Sequence, residues 1–396
     1  MYHGGLSNDT ITIRQMRVII APQEFKGTLT AREAADAMAF GVKQALPDAE
    51  VEAIPLSDGG PGLVDVILAS SRGRRIQARV QDPLGRPIDA AWALLDDGTA
   101  VIESAAAAGL LLLREEERDP AITTSYGVGR LILAALEAGC TRMTVGLGGS
   151  ATNDAGAGMA TALGVRFLDA TGRELPPGGA ALARLDRIDI SGLEPRLRDV
   201  EVVAATDVTN PLCGPEGASL VYGPQKGASP ELTRILDEAL LRYAEIVERD
   251  VGVAVLHQPG AGAAGGLGAG LIALARAEVR PGFDIVAKAI GLRERLIGAD
   301  LLITGEGRLD GQTHNGKAVF GVAKMAKECR VPVLVVPGML APGWDAVLAY
   351  ADAVEPVVGS AATEQQAIER PAEMLALTVE RALRGWRTLR ETAEPA

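Results

Sequence analysis

Aromatic side chains make up only 3% of this 396-residue chain. Large rings therefore cannot dominate its interior, and the core has to be built from aliphatic groups. Cysteine is rarer still: Cys140, Cys213 and Cys329 are the only three. An odd number at wide spacing rules out a disulfide framework and a C-x-x-C metal knot, and it fits reduced thiols in the cytoplasm. The three histidines, His3, His257 and His314, are isolated, which leaves no ligand set for zinc. No apolar run approaches the roughly 20 residues of a membrane span. The opening "MYHGGLSNDTITIRQ" lacks the apolar centre of a secretory signal. Basic residues number 39 against 51 acidic ones, a net charge of −12. That balance argues against nucleic acid or an anionic membrane as the main partner. It still permits a small anionic substrate where a few local cations and a metal ion receive it.

Glycine, by contrast, is abundant at 47 residues, as expected of a chain that uses tight turns and close backbone contacts. The length suits two domains. Residues 1–15 are expected to form a disordered extension, with the folded chain opening at the buried strand "MRVIIAP". A helix follows from Thr30, where Thr30-Ala-Arg-Glu33 fits a capping box. The strand "AEVEAIPL" and the helix "LVDVILASS" complete a β-α-β-α opening. "RRIQARVQD" and "RPIDAAWALLDDGTAVIE", with the Asp97-Gly98 turn, read instead as hairpins. After a long helix over about 230–250, βαβ logic returns with the strands "ADLLITGEG", "VPVLVVPG" and "AVEPVV" and the helices "AVFGVAKMAKEC" and "WDAVLAYADA". The expected fold is α/β: a doubly wound, Rossmann-like parallel-sheet domain from residues 16–75 and 285–396, a mixed α/β domain inserted at 76–284, and a cleft between them.

Three stretches carry candidate chemistry. "VGLGGSATNDAGAGMATALG" follows a strand and is expected to open a helix, so Gly148 and Gly149 could offer backbone amides to an anion. Ser150, Thr152 and Asn153 add neutral donors, and Asp154 could reach a metal ion. A tight turn packed on a neighbour is the plainer reading. Gly260-Ala-Gly262-Ala-Ala-Gly265 satisfies the dinucleotide pattern G-x-G-x-x-G but lacks a preceding strand, so close packing by small residues is the better reading. "DLLITGEGRLDGQTHNGK" sets Glu306, Arg308 and Asp310 just past a buried strand, where open α/β sheets bind ligands. Asp207 and Asn210 follow another strand, Lys226 lies in a glycine-flanked turn, and Lys26 and Asp58 follow the first two strands. Several polar clusters at strand ends point to one shared cleft.

Taken in order, "IAP..FKGTLTA", "PLSDGG.G", "TSYGVG", "GLGGSATNDAGAG", "ATDVTNPLCGPEGAS", "GPQKGA", "GAGAAGGLGAG" and "GEGRLDGQT.NGK" resemble the bacterial glycerate kinase family, over about residues 17–385. The resemblance implies an ATP- and Mg2+-dependent kinase that makes 2-phosphoglycerate from D-glycerate, with ATP and a small anionic hydroxy acid as partners and a homodimer left open. On this reading Asp207, Glu306 and Asp310 are the candidates for holding Mg2+, and Asp310 or Asp58 takes the acceptor's proton. Lys26, Lys226 and Arg308 meet phosphate or carboxylate. Gly148, Gly149, Ser150, Thr152, Asn153, Asp154, Asn210 and Lys317 complete the binding set. The chain departs from the family at Gln23-Glu24, where the pattern reads Asp-Ser, and at Pro61 and Leu63, where it reads Glu and Thr. These positions are expected to face the cleft. Three other readings stay open: a galactokinase-like kinase, which leaves "GEGRLDGQT" unexplained; a nicotinamide oxidoreductase, resting on 260–265 alone; and a non-catalytic or substrate-shifted relative.

Overall fold

The structure, a computed structural model, describes residues 15–311 and 318–393, with side chains described to residue 385. A five-stranded sheet is assembled from both ends of the chain. Its order is Ala353–Val354, Val333–Val335, Leu301–Thr304, Arg17–Ile20, Glu50–Ala53. Every pairing is parallel, and both faces are covered. The helix Ala31–Ala45 and residues of the helix from Pro371 bury one face with Val18, Ile20, Ile303 and Leu334. The helices Leu63–Ser70, Gly282–Ala289 and Ala318–Glu328 bury the other with Ile19, Leu302 and Val333. This is the doubly wound arrangement. Its inner strands are apolar over most of their length because both faces are covered; the edge strand Glu50–Ala53 carries Glu50 and Glu52.

The second sheet has six strands, in the order Glu278–Arg280, Glu201–Ala205, Arg142–Gly146, Thr99–Glu103, Pro87–Leu95, Gly73–Gln81. Four strands run parallel, and the hairpin strands add two antiparallel pairings at one edge. The α/β class and its mixed second sheet therefore follow the sequence pattern. Thr30 caps its helix as expected: its hydroxyl accepts from the Glu33 amide and the Glu33 carboxylate accepts from the Thr30 amide.

Local expectations fail at two places. "WDAVLAYADA" forms only the 3-10 segment Trp344–Ala349, and "AVEPVV" pairs through Ala353–Val354 alone. The Glu355 and Val357 amides, on either side of Pro356, still donate to the Val335 and Pro337 carbonyls.

The chain leaves the strand Arg17–Ile20 toward Glu50–Ala53 on one side and returns later to Leu301–Thr304 on the other. Strand order reverses at this point, and the crevice beyond the carboxyl ends of such strands is where open α/β sheets take ligands. The second sheet turns the carboxyl ends of its parallel strands to the same region. A side-chain carbon on Gly59, just past the strand Glu50–Ala53, would lie 2.8 Å from the Ala205 carbonyl oxygen, and one on Gly146 would collide with the Gly59 carbonyl.

Candidate active site

Two cavities meet where these strand ends converge. The larger, about 640 Å3, is bordered by Gln23, Glu24, Lys26, Glu306, Arg308 and Asp310. The smaller, about 370 Å3, is bordered by Gly148, Gly149, Ser150, Asp207, Asn210 and Lys226. Glu24, Lys26 and Asp58 border both and form the waist between them.

The waist is built by the exit of the first strand. The Gln23 amide donates to the Gly305 carbonyl at 2.9 Å, and the Thr304 hydroxyl donates to the Ala21 carbonyl at 2.7 Å. Phe25 and Leu29 then close a tight turn, each amide donating to the other's carbonyl. Both side chains are buried while Lys26, Gly27 and Thr28 are exposed at the tip. Gly27 has φ +79°, which favours glycine. The turn thus holds Lys26 over the crevice with no hydrogen bond or ion pair among the described residues.

Three carboxyl groups border this part of the cleft in different states. Asp58 accepts from the Gly60 amide at 3.0 Å. Burial pushes Glu24 up, Lys26 opposes that, and Asp58 and Glu103 add to it; the Glu24 carboxyl has no partner among the described residues. Asp207 is pushed up to about 7 by burial and by the charge of Asp58. One of its oxygens accepts from the Phe283 amide at 3.4 Å, and the other, Oδ2, is buried without a partner.

The glycine loop after Gly146 differs from its expected form. No helix opens there; the next one, Ala157–Ala162, starts beyond Gly156, which has φ 73°. The intervening segment is pinned in place instead. Lys226 Nζ donates to the Thr152 carbonyl at 2.7 Å, Asn153 Nδ2 donates to Ser219 Oγ at 2.9 Å, and the Ala155 amide donates to the Gly265 carbonyl at 3.1 Å. Asp154, wholly buried, accepts from the Ser125 amide and hydroxyl and from the Gly156 and Gly158 amides. Thr152, Asn153 and Asp154, expected at the ligand, therefore brace the loop from behind, and the loop borders the cavity through Leu147, Gly148, Gly149 and Ser150. The glycines themselves answer to packing. A side-chain carbon on Gly148 would come 2.7 Å from Gly60 Cα.

Close packing also explains the 260–265 match. A side-chain carbon on Gly262 would collide with the Pro211 carbonyl, and one on Gly265 with the Thr152 carbonyl. No strand leads into this segment, so the dinucleotide pattern has no βαβ setting.

Lys226 borders the smaller cavity yet is buried, and burial lowers it to about 8 while Asp154 pulls it back up. Asn210 is held by Tyr222 Oη at 2.9 Å and by its own bond to the Glu216 carbonyl at 2.6 Å. Arg308 and Asp310 form a long pair at 4.0 Å on the rim of the larger cavity. The three expected metal carboxylates do not gather at one point: Asp207 borders the smaller cavity, Glu306 and Asp310 the larger. Among the described residues no group of three or more His, Cys, Asp or Glu could hold a metal ion. Lys317 lies outside the described residues.

Of the departures, Gln23, Glu24 and Pro61 border the cavities. Leu63 does not: it is 0% exposed and lies in the apolar core, because it is the first residue of the helix Leu63–Ser70 and turns inward. Glu24, expected to face the cleft but given no role there, is a waist residue that borders both cavities.

The polar cleft lies at converging strand ends of an α/β fold, the place where such folds take ligands. The model of the glycerate kinase family matches residues 18–387, so the chain belongs to that family and is a small-molecule kinase. It is 46% identical over 365 residues to a glycerate kinase of Bacillus subtilis (strain 168), covering 92% of this chain and 96% of the relative. It is 47% identical over 326 residues to the glycerate 2-kinase of Escherichia coli (strain K12), covering 82% and 86%. A crystal structure from Salmonella typhimurium LT2, assigned as a glycerate kinase 2, superposes with a TM-score of 0.78 at 43% identity, covering 95% of this chain and 100% of that one. No helix among the described residues is long and apolar enough to cross a membrane.

Proposed function

We propose that this chain transfers the γ-phosphoryl group of ATP to the 2-hydroxyl of D-glycerate, giving 2-phosphoglycerate, in a cleft between a domain of residues 16–75 and 285–396 and an inserted domain of residues 76–284. The observation that carries the reading is the waist: Glu24, Lys26 and Asp58 border both cavities. Donor and acceptor seated in separate cavities would meet there. Phosphoryl transfer asks a protein chiefly to position its reactants and to balance charge. Lys26, unpaired at the tip of its turn, balances the moving phosphoryl group. Asp58 takes the proton of the attacking hydroxyl, a role for which its place at the waist suits it better than Asp310 on the rim.

The residues fit a divalent cation in part. The unpartnered buried oxygen of Asp207, in a carboxyl raised to about 7 by burial and a neighbouring charge, is what a bound cation would relieve. Mg2+ commonly takes one or two carboxylates and completes its shell with phosphate oxygens and water. Asp207 would hold it, and the ion would neutralise charge on the phosphates. The free thiols of Cys140, Cys213 and Cys329 fit the cytoplasm as its compartment.

Glu24 and Pro61 in the cavity lining favour one second reading, a shift of acceptor toward a related hydroxy acid. ADP release measured with D-glycerate, tartronate and erythronate decides between them. Fastest turnover with D-glycerate supports the first reading, faster turnover with another acid the second, and no ADP release with any of them rejects both.

A further inference from the structure

The larger cavity has a mixed lining. Lys26, Arg308, Glu306 and Asp310 supply charged groups. Met339, Val357, Val358, Ile368, Pro371 and Leu375 supply an apolar wall, which adjoins the charged groups where Met339 pairs with Arg308. The backbone assembles that wall with care. The Val357 and Val358 amides donate to the Pro337 and Gly338 carbonyls, which ties the segment to the exit of the strand Val333–Val335. Thr363 caps the short helix Glu364–Glu369 through a reciprocal bond with Gln366, and this fixes Ile368. Val357 and Leu375 are buried beneath the wall, whereas Ile368 stands 60% exposed at its surface. Single exposed aliphatic side chains are ordinary on a protein surface; Ile368 is of interest because it also lines a cavity of ligand size.

Resting on the kinase reading above, we propose that this apolar wall seats the purine base of ATP, with the phosphates directed past Lys26 and Arg308 toward the waist. The acceptor acid then occupies the smaller cavity. Lining and size assign the two. A nucleotide has one flat apolar end, matching the larger cavity with its run of apolar side chains, and Lys26 and Arg308 stand among the acids of that cavity to meet the phosphates. A hydroxy acid of a few carbons has no apolar face to bury, and the smaller cavity offers a mostly polar lining.

The test separates base from phosphate by direct binding, so it does not depend on turnover. ADP and inorganic tripolyphosphate are titrated calorimetrically into the parent, Ile368→Glu and Ile368→Phe. Ile368 is exposed, so both variants should keep the parent's melting temperature, which is measured alongside. In Ile368→Glu the Kd for ADP should rise about tenfold, the scale of losing an apolar contact in a pocket, while tripolyphosphate, which has no base, changes less than about twofold. Ile368→Phe should retain ADP binding. An unchanged Kd for ADP, or equal weakening of both ligands, overturns the seat. A parent that binds ADP but never turns over ATP with glycerate rejects transfer to glycerate and leaves the seat standing.

Discussion

Asp58 and Asp207 stand close enough in the cleft for the charge of one to raise the pKa of the other, and burial carries Asp207 from its ordinary 3.8 to about 7. A carboxyl raised in this way binds its proton more tightly folded than unfolded. Its contribution to stability is fully present below about pH 4 and is lost as the pH climbs through about 7. Asp207→Asn keeps the shape and removes the titration. In metal-free buffer, the melting temperature of the parent should fall more between pH 5 and pH 8 than that of the variant. Parallel losses in both proteins would count against a strained carboxyl at this position.

Backbone contact, not anion binding, accounts for glycine at 146. A methyl group there meets the Gly59 carbonyl and Leu63 Cδ2, so Gly146→Ala has to push the ends of the two sheets apart. Overpacking of this kind costs about 1–3 kcal/mol. Gly385, with nothing within 4 Å of its added carbon, lies in the helix Pro371–Ala393, and Gly385→Ala should be neutral or slightly stabilising. Denaturant unfolding of the two variants gives the comparison; equal stability would remove packing as the reason for the first glycine.

The departures from the family pattern separate into two kinds. Glu24→Ser and Pro61→Glu alter cavity lining, so together they should change kcat/KM for D-glycerate while leaving the melting temperature near the parent's. Leu63→Thr puts a hydroxyl into an apolar core and should cost about 2–3 kcal/mol with little change in the kinetics of the protein that stays folded. Steady-state kinetics beside thermal melts decides the matter, and a kinetic effect confined to Leu63→Thr would reverse the assignment.

Asp58 and Asp310 compete for the role of base, and position favours Asp58. Asp58→Asn should lower kcat by about 10²–10⁴, the range for losing general acid–base help, with a smaller loss in Asp310→Asn. The reverse ranking would move the proton transfer from the waist to the rim.

Much of this arrangement is legible in the sequence, and the reasons are local. Continuous apolar runs mark the strands Arg17–Ile20 and Leu301–Thr304 because both faces of that sheet are covered, and Thr30 with Glu33 marks a helix start that depends only on residues three apart. Strand ends likewise announce Lys26, Asp58, Asp207 and Glu306. What the sequence hides is contact between distant segments. Thr152, Asn153 and Asp154 look like ligand groups until the Thr152 hydroxyl is seen bonded to Ser150 Oγ, Asn153 to Ser219 and Asp154 to Ser125. Gly265 looks like part of a phosphate loop until the Thr152 carbonyl is found against it. Leu63 looks like a cleft residue because a turn ends there, and only the packing of its helix shows it facing inward. Glu24 is marked in the sequence as a departure expected to face the cleft, but its place at the waist between two cavities is a property of the assembled cleft.

The central claim is transfer to the 2-hydroxyl of glycerate, and one coupled assay tests it most directly. The purified chain is incubated with ATP, Mg2+ and D-glycerate in the presence of enolase, which consumes 2-phosphoglycerate but not the 3-phospho isomer, and phosphoenolpyruvate is followed by its absorbance. Immediate formation of phosphoenolpyruvate, with no phosphoglycerate mutase added, is the expected result. A signal that appears only after mutase is supplied, or none at all while enolase is active on authentic 2-phosphoglycerate, would contradict it.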